Sequence, residues 1–477
     1  MKDIDPSPPP IVRNDAAAVQ ALFQQNVVPS YGRFDIVLSQ GSGSYVSDIS
    51  GKRYLDLGAG IAVTCLGHAH PAITEALIEQ SRKLVHVSNY YYHEGQGRLA
   101  QALVNLIGPG KCFFCNSGAE ANEGLFKLAR KFGHDEGRFE ILTTLNSFHG
   151  RTLAGISATG QEKIKKGFEP MVPGFRQVPF NDLEAMSAAI SPATAAILIE
   201  GVQGEGGVTP ATAEYLLGLR RLCDEKKLLL LMDSVQCGHF RTGRFLSCQR
   251  ILENGVRRQE ARGFGIPALA GRVVPNSASP PVCKTLSSTD VEPAKAGTPS
   301  PGASGQAAFL PDAVSMAKSL GGGFPMGAFW VRAPYADLLG AGTHGTTYGG
   351  SPLGCAVALK ILEVIRKEGL ADNAREVGDH LKTGLQRLAD KCPGIIKNVR
   401  GLGLMLGMEL APDIAKLPGE TTKTQSARFA NLLHAAGLLT IPAGTQILRL
   451  LPALNLRKME ADDGLQIVES VVARLAG

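Results

Sequence analysis

Two charged residues stand where a charge is costly, because each directly follows a run of apolar residues. Asp233 comes after LLLLM (228–232), and Lys318 comes after AVSMA (313–317). A buried acid needs a cation or a turn to cap, whereas a buried amine becomes a better nucleophile and Schiff-base former. A surface lysine that begins the glycine turn at 321–323 stays an alternative for Lys318.

A third segment is typical of an anion site. The apolar run KCFFC (111–115) passes through NSGAEAN (116–122) into a helical pattern that extends to Phe132. A strand that turns through small residues into a helix offers free N–H groups and the positive end of the helix dipole to a phosphate. The segment lacks the Gly-Lys-Ser/Thr of a nucleotide loop, and taken alone it fits a tight turn without ligand equally well.

These three positions together match the requirements of pyridoxal phosphate. That cofactor needs N–H donors for its phosphate, an acid at its pyridine nitrogen and an amine for its aldehyde. Phe148, within SFHGRT (147–152), offers a flat surface for ring stacking, although a core aromatic beside an exposed arginine fits the same pattern. The sequence therefore indicates a cofactor site at successive strand ends.

A central sheet is needed to position these residues. Residues 195–199 (AAILI) and 228–232 are continuous apolar runs, typical of strands buried on both faces of a parallel sheet, and 211–227 between them has a helical pattern. Strand, helix, strand predicts an open α/β sheet, whose ligands gather at the carboxyl ends of the strands. Helical periodicity returns at 356–390, and the last hundred residues mix both patterns as a separate C-terminal unit.

The composition fits a globular enzyme and argues against other classes. The chain has 477 residues, 44% hydrophobic and 19% charged, with a formal charge of +6. Basic runs such as 163–166 are short enough to be a solvated helix face, so we expect no nucleic-acid partner. The sequence has no uninterrupted apolar stretch of about 18 residues, so we expect no membrane span. Nine irregularly spaced cysteines and an N-terminus without targeting features predict a cytoplasmic protein with reduced thiols.

Three local patterns look like sites but have structural explanations. Cys112 and Cys115 lie in an apolar run without a second cysteine pair, which favours buried strand residues over metal ligands. His68 and His70 lack a third ligand at metal-binding spacing, so we expect no metal. The glycines of GLGLMLG (401–407) precede a strand-like segment, which does not fit a dinucleotide fingerprint.

One segment, 253–306, interrupts the pattern. It is rich in Pro, Ser, Gly and Ala and shows neither helical nor strand periodicity. This composition favours a solvated, disordered insertion, and a role in regulation or partner binding is the alternative.

The ordered motifs of the chain resemble the class III aminotransferases, which belong to the fold-type I pyridoxal-phosphate enzymes. The resemblance extends from about Tyr31 to the C-terminus, without the insertion. The motifs that carry it are LDLGAGIAVTCLGHAHP (55–71), HVSNYYY (86–92), NSGAEANE (116–123), FHGRT (148–152), EGVQGEGGV (200–208), MDSVQCG (232–238), AKSLGGGFPMGA (317–328), HGTTYGGSPLGCAVA (344–358) and LRLLPALN (448–455).

The resemblance implies an α/β fold. A large cofactor-binding domain (71–360) would have a mainly parallel central sheet with helices on both faces. A smaller α+β domain would combine an N-terminal segment (1–70) with the C-terminal residues 361–477.

The resemblance also implies roles for the residues around the cofactor. Lys318 would hold pyridoxal phosphate as an imine and shuttle the substrate proton, and Asp233 would pair with the pyridine nitrogen. The other implied cofactor contacts are Val235 and Phe148 on the two ring faces, Ser117, Gly118 and Ala119 at the phosphate, Gln236 at the ring hydroxyl, and Thr347 at the phosphate of the neighbouring subunit in a homodimer.

Two further sets are implied for the substrate. Arg151, helped by Tyr31, would clamp the distal carboxylate, since the arginine fork binds a carboxylate through two hydrogen bonds. Glu205 would neutralise Arg449 while an ω-amino donor is bound and then release it to the α-carboxylate of 2-oxoglutarate. The resemblance is greatest to members that use the δ-amino group of N-acetylornithine in arginine biosynthesis.

Other functions fit the same residue set, and two positions depart from the family pattern. Ornithine, succinylornithine or 4-aminobutyrate could be the donor with the same residue set, and a catalytically silent binding or regulatory subunit is the more distant alternative. Ser234 stands where the family commonly has Glu, and Ser351 where it commonly has Asn. Neither position belongs to the implied chemical core, so we expect these changes to tune the site.

Overall fold

The computed structural model describes residues 15–261 and 309–476. Within these residues the strands form three larger sheets and one two-stranded sheet, and helices connect them. The strands are β1 (Leu38–Ser42), β2 (Tyr45–Asp48), β3 (Arg53–Asp56), β4 (Gly110–Cys115), β5 (Glu140–Thr144), β6 (Phe175–Val178), β7 (Thr194–Glu200), β8 (Val202–Gln203), β9 (Thr209–Pro210), β10 (Leu229–Asp233), β11 (Ala313–Met316), β12 (Gly327–Arg332), β13 (Ile396–Leu402), β14 (Met405–Leu410), β15 (Leu438–Leu439), β16 (Ile441–Ala443) and β17 (Ile447–Leu450). The helices are α1 (Ala16–Asn26), α2 (Ala59–Ala62), α3 (Pro71–Ser81), α4 (Glu94–Ile107), α5 (Gly118–Gly133), α6 (Leu153–Ala158), α7 (Leu183–Ala189), α8 (Ala213–Lys226), α9 (Ser247–Ala261), α10 (Pro352–Lys367), α11 (Leu370–Lys391), α12 (Gln425–Ala435) and α13 (Lys458–Ala476).

A seven-stranded sheet forms the centre of the molecule, in the order β4-β12-β11-β10-β7-β5-β6. Strand β12 runs antiparallel to both of its neighbours, and the other strand pairs are parallel. The predicted α/β class with a mainly parallel sheet is therefore confirmed. The apolar runs at 195–199 and 228–232 are the adjacent strands β7 and β10, and helix α8 lies between them in the chain.

Both faces of this sheet are covered, which explains the uninterrupted apolar runs. Along β7, Ile197 and Ile199 belong to one core cluster, while Ala196 and Leu198 belong to a second. Successive side chains of a strand point to opposite faces, so a strand between two cores needs apolar residues at every position.

Two smaller sheets flank the centre. An antiparallel sheet, β13-β14-β17-β16, is built from the C-terminal residues, and β15 adds in parallel to β3 in the sheet β1-β2-β3-β15. N-terminal and C-terminal segments thus share a sheet, while the domain boundaries at 70 and 360 stay predictions. The GLGLMLG run forms the hairpin of β13 and β14, with Gly403 at φ +55° in its turn.

Helix α9 extends to Ala261, so it includes residues 253–261, which the sequence pattern assigned to the insertion. Leu252 and Val256 are four residues apart among polar and charged residues, which is the spacing of one helix face across this boundary. The rest of the insertion, 262–306, lies outside the described residues, and so does the prediction that it is disordered.

The eight described cysteines are free thiols. In the described part of the chain, no helix combines the length and the apolar character needed to cross a bilayer.

Candidate active site

Asp233 is the last residue of β10, at the carboxyl edge of the central sheet, and is 4% exposed. Its Oδ2 accepts hydrogen bonds from Asn122 Nδ2 and from the ring of His149, each at 2.8 Å. Its Oδ1 accepts the backbone N–H of Val235 at 3.0 Å. These donors stabilise the ionised carboxylate at a site where burial alone would penalise it.

A second buried carboxylate lies beside Asp233. Glu200 ends β7 in direct register with Asp233, and its two oxygens accept the backbone N–H groups of Phe148 and Gly204, each at 3.2 Å. Burial, followed by the charge of Asp233, raises the pKa of Glu200 well above its usual range. Of the two neighbouring acids, Asp233 accepts three hydrogen bonds, whereas Glu200 accepts two.

Lys318 follows β11, the strand next to β10, so the sheet brings it to the same edge as Asp233. Its backbone is left-handed, with φ +50°. Burial and the nearby charge of Arg449 lower the pKa of Lys318 to about 8, and the acids Glu205, Asp233 and Glu200 offset part of that change. A substantial fraction of the amine is neutral near physiological pH, which is the nucleophilic form.

The predicted anion site is the start of α5. Ser117 caps the helix, its Oγ accepting the N–H of Glu120 at 3.2 Å, and the Glu120 carboxylate accepts the N–H of Asn116 at 2.7 Å. The first N–H groups of a helix have no intrahelical partner, so those of Gly118 and Ala119 remain for a ligand. A Cβ at Gly118 would lie 2.7 Å from Val235 Cγ1, so glycine is what lets the helix start approach Val235.

Phe148 and Arg151 lie between β5 and α6. Phe148 is half-buried, Arg151 is exposed, and the Arg151 guanidinium is 5.5 Å from the Phe148 ring centroid. The pattern FHGRT therefore places an aromatic ring and a cation together beside Glu200.

Glu205 and Arg449 form an ion pair, with 2.6 Å between Glu205 Oε1 and Arg449 Nη1. Arg449, on β17, is only 2% exposed, and it also donates to Gln236 Oε1 at 3.4 Å and to Pro442 O at 3.2 Å. Gly204 makes room for this arrangement, since a Cβ there would lie 2.0 Å from Gln236 Oε1. The pair implied by the resemblance is thus in contact.

Two predicted residues are not joined to this group within the single chain. Tyr31 is 76% exposed, with its ring 5.9 Å from the Arg33 guanidinium, and Thr347 is also exposed. Four other tyrosines are also more than half exposed: Tyr348, which follows Thr347 in the chain, and Tyr90, Tyr91 and Tyr92.

Sequence reasoning did not assign Asn122 and His149 to the site as donors to Asp233, nor Glu200 as the acid beside it. All three occur in motifs that it singled out. The pairing rule for buried charge was the available signal, because a buried Asp requires donors, and polar residues at neighbouring strand ends are the nearest source.

One of the two histidines singled out in the sequence contacts a carboxylate. His68 Nε2 lies 2.8 Å from Asp56 Oδ2, a structural contact beneath α2. Among the described residues, no group of three or more His, Cys, Asp or Glu side chains is arranged to hold a metal ion.

Comparison with known proteins places this geometry in a family. The family model described as aminotransferase class-III matches residues 27–256 and 302–472, which leaves out 257–301. The acetylornithine aminotransferase of Gloeobacter violaceus is 40% identical over 460 residues, covering 96% of this chain and 98% of the relative.

Solved structures give the same result. The ornithine aminotransferase of Toxoplasma gondii ME49 matches with a TM-score of 0.79 at 28% identity, covering 97% of this chain and 96% of that one. The acetylornithine aminotransferase of Elizabethkingia anophelis matches with a TM-score of 0.74 at 28% identity, covering 96% and 99%. With the family match spanning most of its length, the chain belongs to the class III aminotransferases.

Proposed function

We propose that this aminotransferase uses pyridoxal phosphate to move the δ-amino group of N-acetylornithine to 2-oxoglutarate, giving N-acetylglutamate semialdehyde and glutamate in arginine biosynthesis. The observation that carries the proposal is the convergence of Lys318, Asp233 and the start of α5 at one sheet edge. The names of the similar curated proteins support the choice of donor, since relatives at 36–40% identity are acetylornithine aminotransferases.

The residues present fit the cofactor. A buried acid with three donors, a neighbouring lysine with a lowered pKa and a helix start kept open by Gly118 supply a contact for each of its polar groups. When bound, pyridoxal phosphate supplies an electron sink for the negative charge that develops on the substrate carbon.

Asp233 would hold a proton at the pyridine nitrogen. Hydrogen bonds from Asn122, His149 and the Val235 N–H to the carboxylate support this role, because they favour its charged form. His149 donates through Nδ1 in this arrangement, which fixes the orientation of the carboxylate.

The remaining contacts orient the cofactor. Ser117, Gly118 and Ala119 would bind its phosphate at the positive end of α5. Val235 and Phe148 would enclose the ring, and Gln236 would contact the ring hydroxyl. Val235 is fixed for this by its close packing on Gly118.

Lys318 would bond to the cofactor aldehyde and, once displaced by the substrate amine, would carry the proton between substrate carbon and cofactor. Its pKa of about 8 suits both tasks, because a base near the working pH can accept and return a proton.

Arg151, with Tyr31, would bind the carboxylate at the far end of the donor. Glu205 neutralises Arg449 in the described state, which suits a donor with no carboxylate beside its reacting carbon. For 2-oxoglutarate, Glu205 would move away and Arg449 would bind the α-carboxylate. Glu205 would be the partner that moves, since its side chain is 31% exposed, whereas the buried Arg449 also donates to Pro442 O.

We also propose a homodimer in which Thr347 reaches the phosphate of the neighbouring subunit. The exposed rings of Tyr90, Tyr91, Tyr92 and Tyr348 support it, because a patch of this kind on one chain is typical of a protein–protein contact. Asn89 ties the two segments together by donating to Gly349 O at 3.1 Å.

Ornithine is the second candidate donor, because the Toxoplasma gondii neighbour is an ornithine aminotransferase. Succinylornithine and 4-aminobutyrate are further donors that the same residues would serve. A catalytically silent homologue is disfavoured by the contact between Glu205 and Arg449 and by the intact edge with Lys318 and Asp233.

Turnover on the four donors with 2-oxoglutarate tests the proposal. We expect the highest kcat/KM with N-acetylornithine, together with a change in the cofactor absorption when that donor is added alone. A clear preference for 4-aminobutyrate would end the substrate assignment. Activity that appears only after deletion of 262–306, which leaves α9 intact, would instead favour the silent homologue.

A further inference from the structure

The backbone of Lys318 adopts a conformation that is costly for any residue with a Cβ. Its φ of +50° places it in the left-handed region, and such a residue persists only where its surroundings determine it. Within its own turn, Lys318 O accepts the N–H groups of Gly321 and Gly322, each at 3.1 Å. These local bonds close the turn but do not connect it to another element.

The connection to another element is made by Ser319, the next residue, which is 3% exposed. Its Oγ donates to Ala62 O at 2.9 Å, and its own carbonyl accepts the thiol of Cys65 at 3.3 Å. Burial raises the pKa of Cys65 to about 12, so the thiol keeps the proton that this bond requires. We call these two hydrogen bonds the Ser319 lock.

The segment on the other side of the lock is itself strained. Four consecutive residues of α2 have positive φ: Ala59 at +44°, Gly60 at +62°, Ile61 at +65° and Ala62 at +63°. A left-handed turn is disfavoured for each L-residue in it, and most of all for a β-branched one such as Ile61.

This left-handed turn is firmly anchored. Asp56 Oδ1 accepts the N–H groups of Gly58 at 2.8 Å and Ala59 at 2.9 Å, and Asp56 Oδ2 contacts His68 at 2.8 Å. A fixed turn can therefore serve as the reference against which Ser319 is held.

We propose that Ser319 is a positioning residue, which fixes the Lys318 backbone against the left-handed turn at 59–62 so that the amine meets the cofactor aldehyde in one orientation. The inference rests on the proposed role of Lys318. It deepens that role by naming what sets the geometry of the nucleophile.

The test is Ser319→Ala, with Ser315→Ala as the matched control. Ser315 is fully buried on β11, three residues before Lys318, and its Oγ has no hydrogen-bond partner among the described residues. Both variants delete one buried hydroxyl, but only the first deletes a bond of the lock, the one from Ser319 Oγ to Ala62 O. The bond from the Cys65 thiol to the carbonyl of residue 319 is available in both variants.

Three quantities should be measured in each variant: the dissociation constant of pyridoxal phosphate from quenching of Trp330, the pH midpoint of the cofactor absorption band, and the Tm of the apoprotein. For Ser319→Ala we expect the dissociation constant to rise about tenfold and the pH midpoint to move, because a displaced nucleophile reacts less readily. For Ser315→Ala we expect neither change.

Equal effects in the two variants would overturn the proposal, as would a Ser319→Ala protein with a lowered Tm but an unchanged dissociation constant and pH midpoint. Ser319→Thr keeps the hydroxyl donor, so it should restore the wild-type pH midpoint if the lock is responsible. Should Lys318→Ala show the wild-type absorption band, the assignment of Lys318 itself fails, and that result is distinct from failure of the lock.

Discussion

The buried edge of the central sheet and the exposed surface around Tyr92 and Thr347 differ in how complete they are. At the sheet edge, Asp233 has three donors and Arg449 has Glu205, so each charge is matched by a residue of the same chain. On the surface, Tyr92 is fully exposed and Thr347 is also exposed. One chain therefore supplies most of the proposed chemical centre, and in the proposed homodimer the exposed surface would meet a second copy.

Replacing Lys318 by Ala would affect the buried edge most. We expect turnover to fall by about 10³-fold or more, because the variant loses both the cofactor bond and the proton carrier. Steady-state rates with N-acetylornithine and 2-oxoglutarate measure the loss, and Lys166→Ala, at an exposed lysine, is the control. An undiminished rate in Lys318→Ala would refute the mechanism.

Replacing Tyr92 by Asp addresses the exposed surface. If that surface is a dimer contact, a charge there should raise the dimer dissociation constant about 100-fold, roughly 3 kcal/mol. Sedimentation measures this change, and Met459→Asp is the control, since Met459 is 76% exposed at the start of α13. An unchanged sedimentation profile for Tyr92→Asp would remove the surface from the proposed dimer.

Replacing Glu205 by Gln tests whether this carboxylate serves the donor half-reaction and not the half-reaction with 2-oxoglutarate. The change leaves the Arg449 charge without its carboxylate, so kcat/KM for the donor should fall about 30-fold while 2-oxoglutarate still reacts. Single-turnover rates of each half-reaction measure the difference. Glu409→Gln removes another acid paired with an arginine, Arg400, and should change neither rate. Equal losses in both half-reactions would contradict the assignment.

The pH dependence of cofactor addition gives the smallest expected effect. The pKa of Lys318 is lowered to about 8, so the apoprotein amine is mostly neutral above that pH and mostly protonated below it. The rate of pyridoxal phosphate binding to the apoprotein should therefore fall as pH decreases, by about tenfold between pH 7 and pH 6. A rate that continues to rise steeply up to pH 10 would show an ordinary lysine.

Sequence patterns predicted much of the buried edge because strong physical constraints act there. The runs at 195–199 and 228–232 predicted strands between two cores, and a charge directly after such a run indicated a capped, paired or functional group. The patterns could not show the left-handed turn at 59–62, since Ile61 and Ala62 are common in right-handed structure and adopt positive φ only through tertiary contacts.

The partners of Asp233 were also beyond a residue-by-residue prediction. Asn122 and His149 are distant from Asp233 in sequence, and only the sheet order places α5 and the β5–α6 connection around it. Exposed positions such as Tyr31 and Thr347 were assigned by resemblance alone, because surface residues are weakly constrained by packing. Their roles stay predictions.

The neighbouring strands β10 and β11 carry one further consequence. They pair in register at Asp233 and Ser315, although a long stretch of chain separates them in the sequence. The entropic cost of closing a loop grows slowly, by about 0.6 kcal/mol for each doubling of its length. The span between acid and nucleophile is thus set by strand pairing and is insensitive to the length of the chain that connects the two strands.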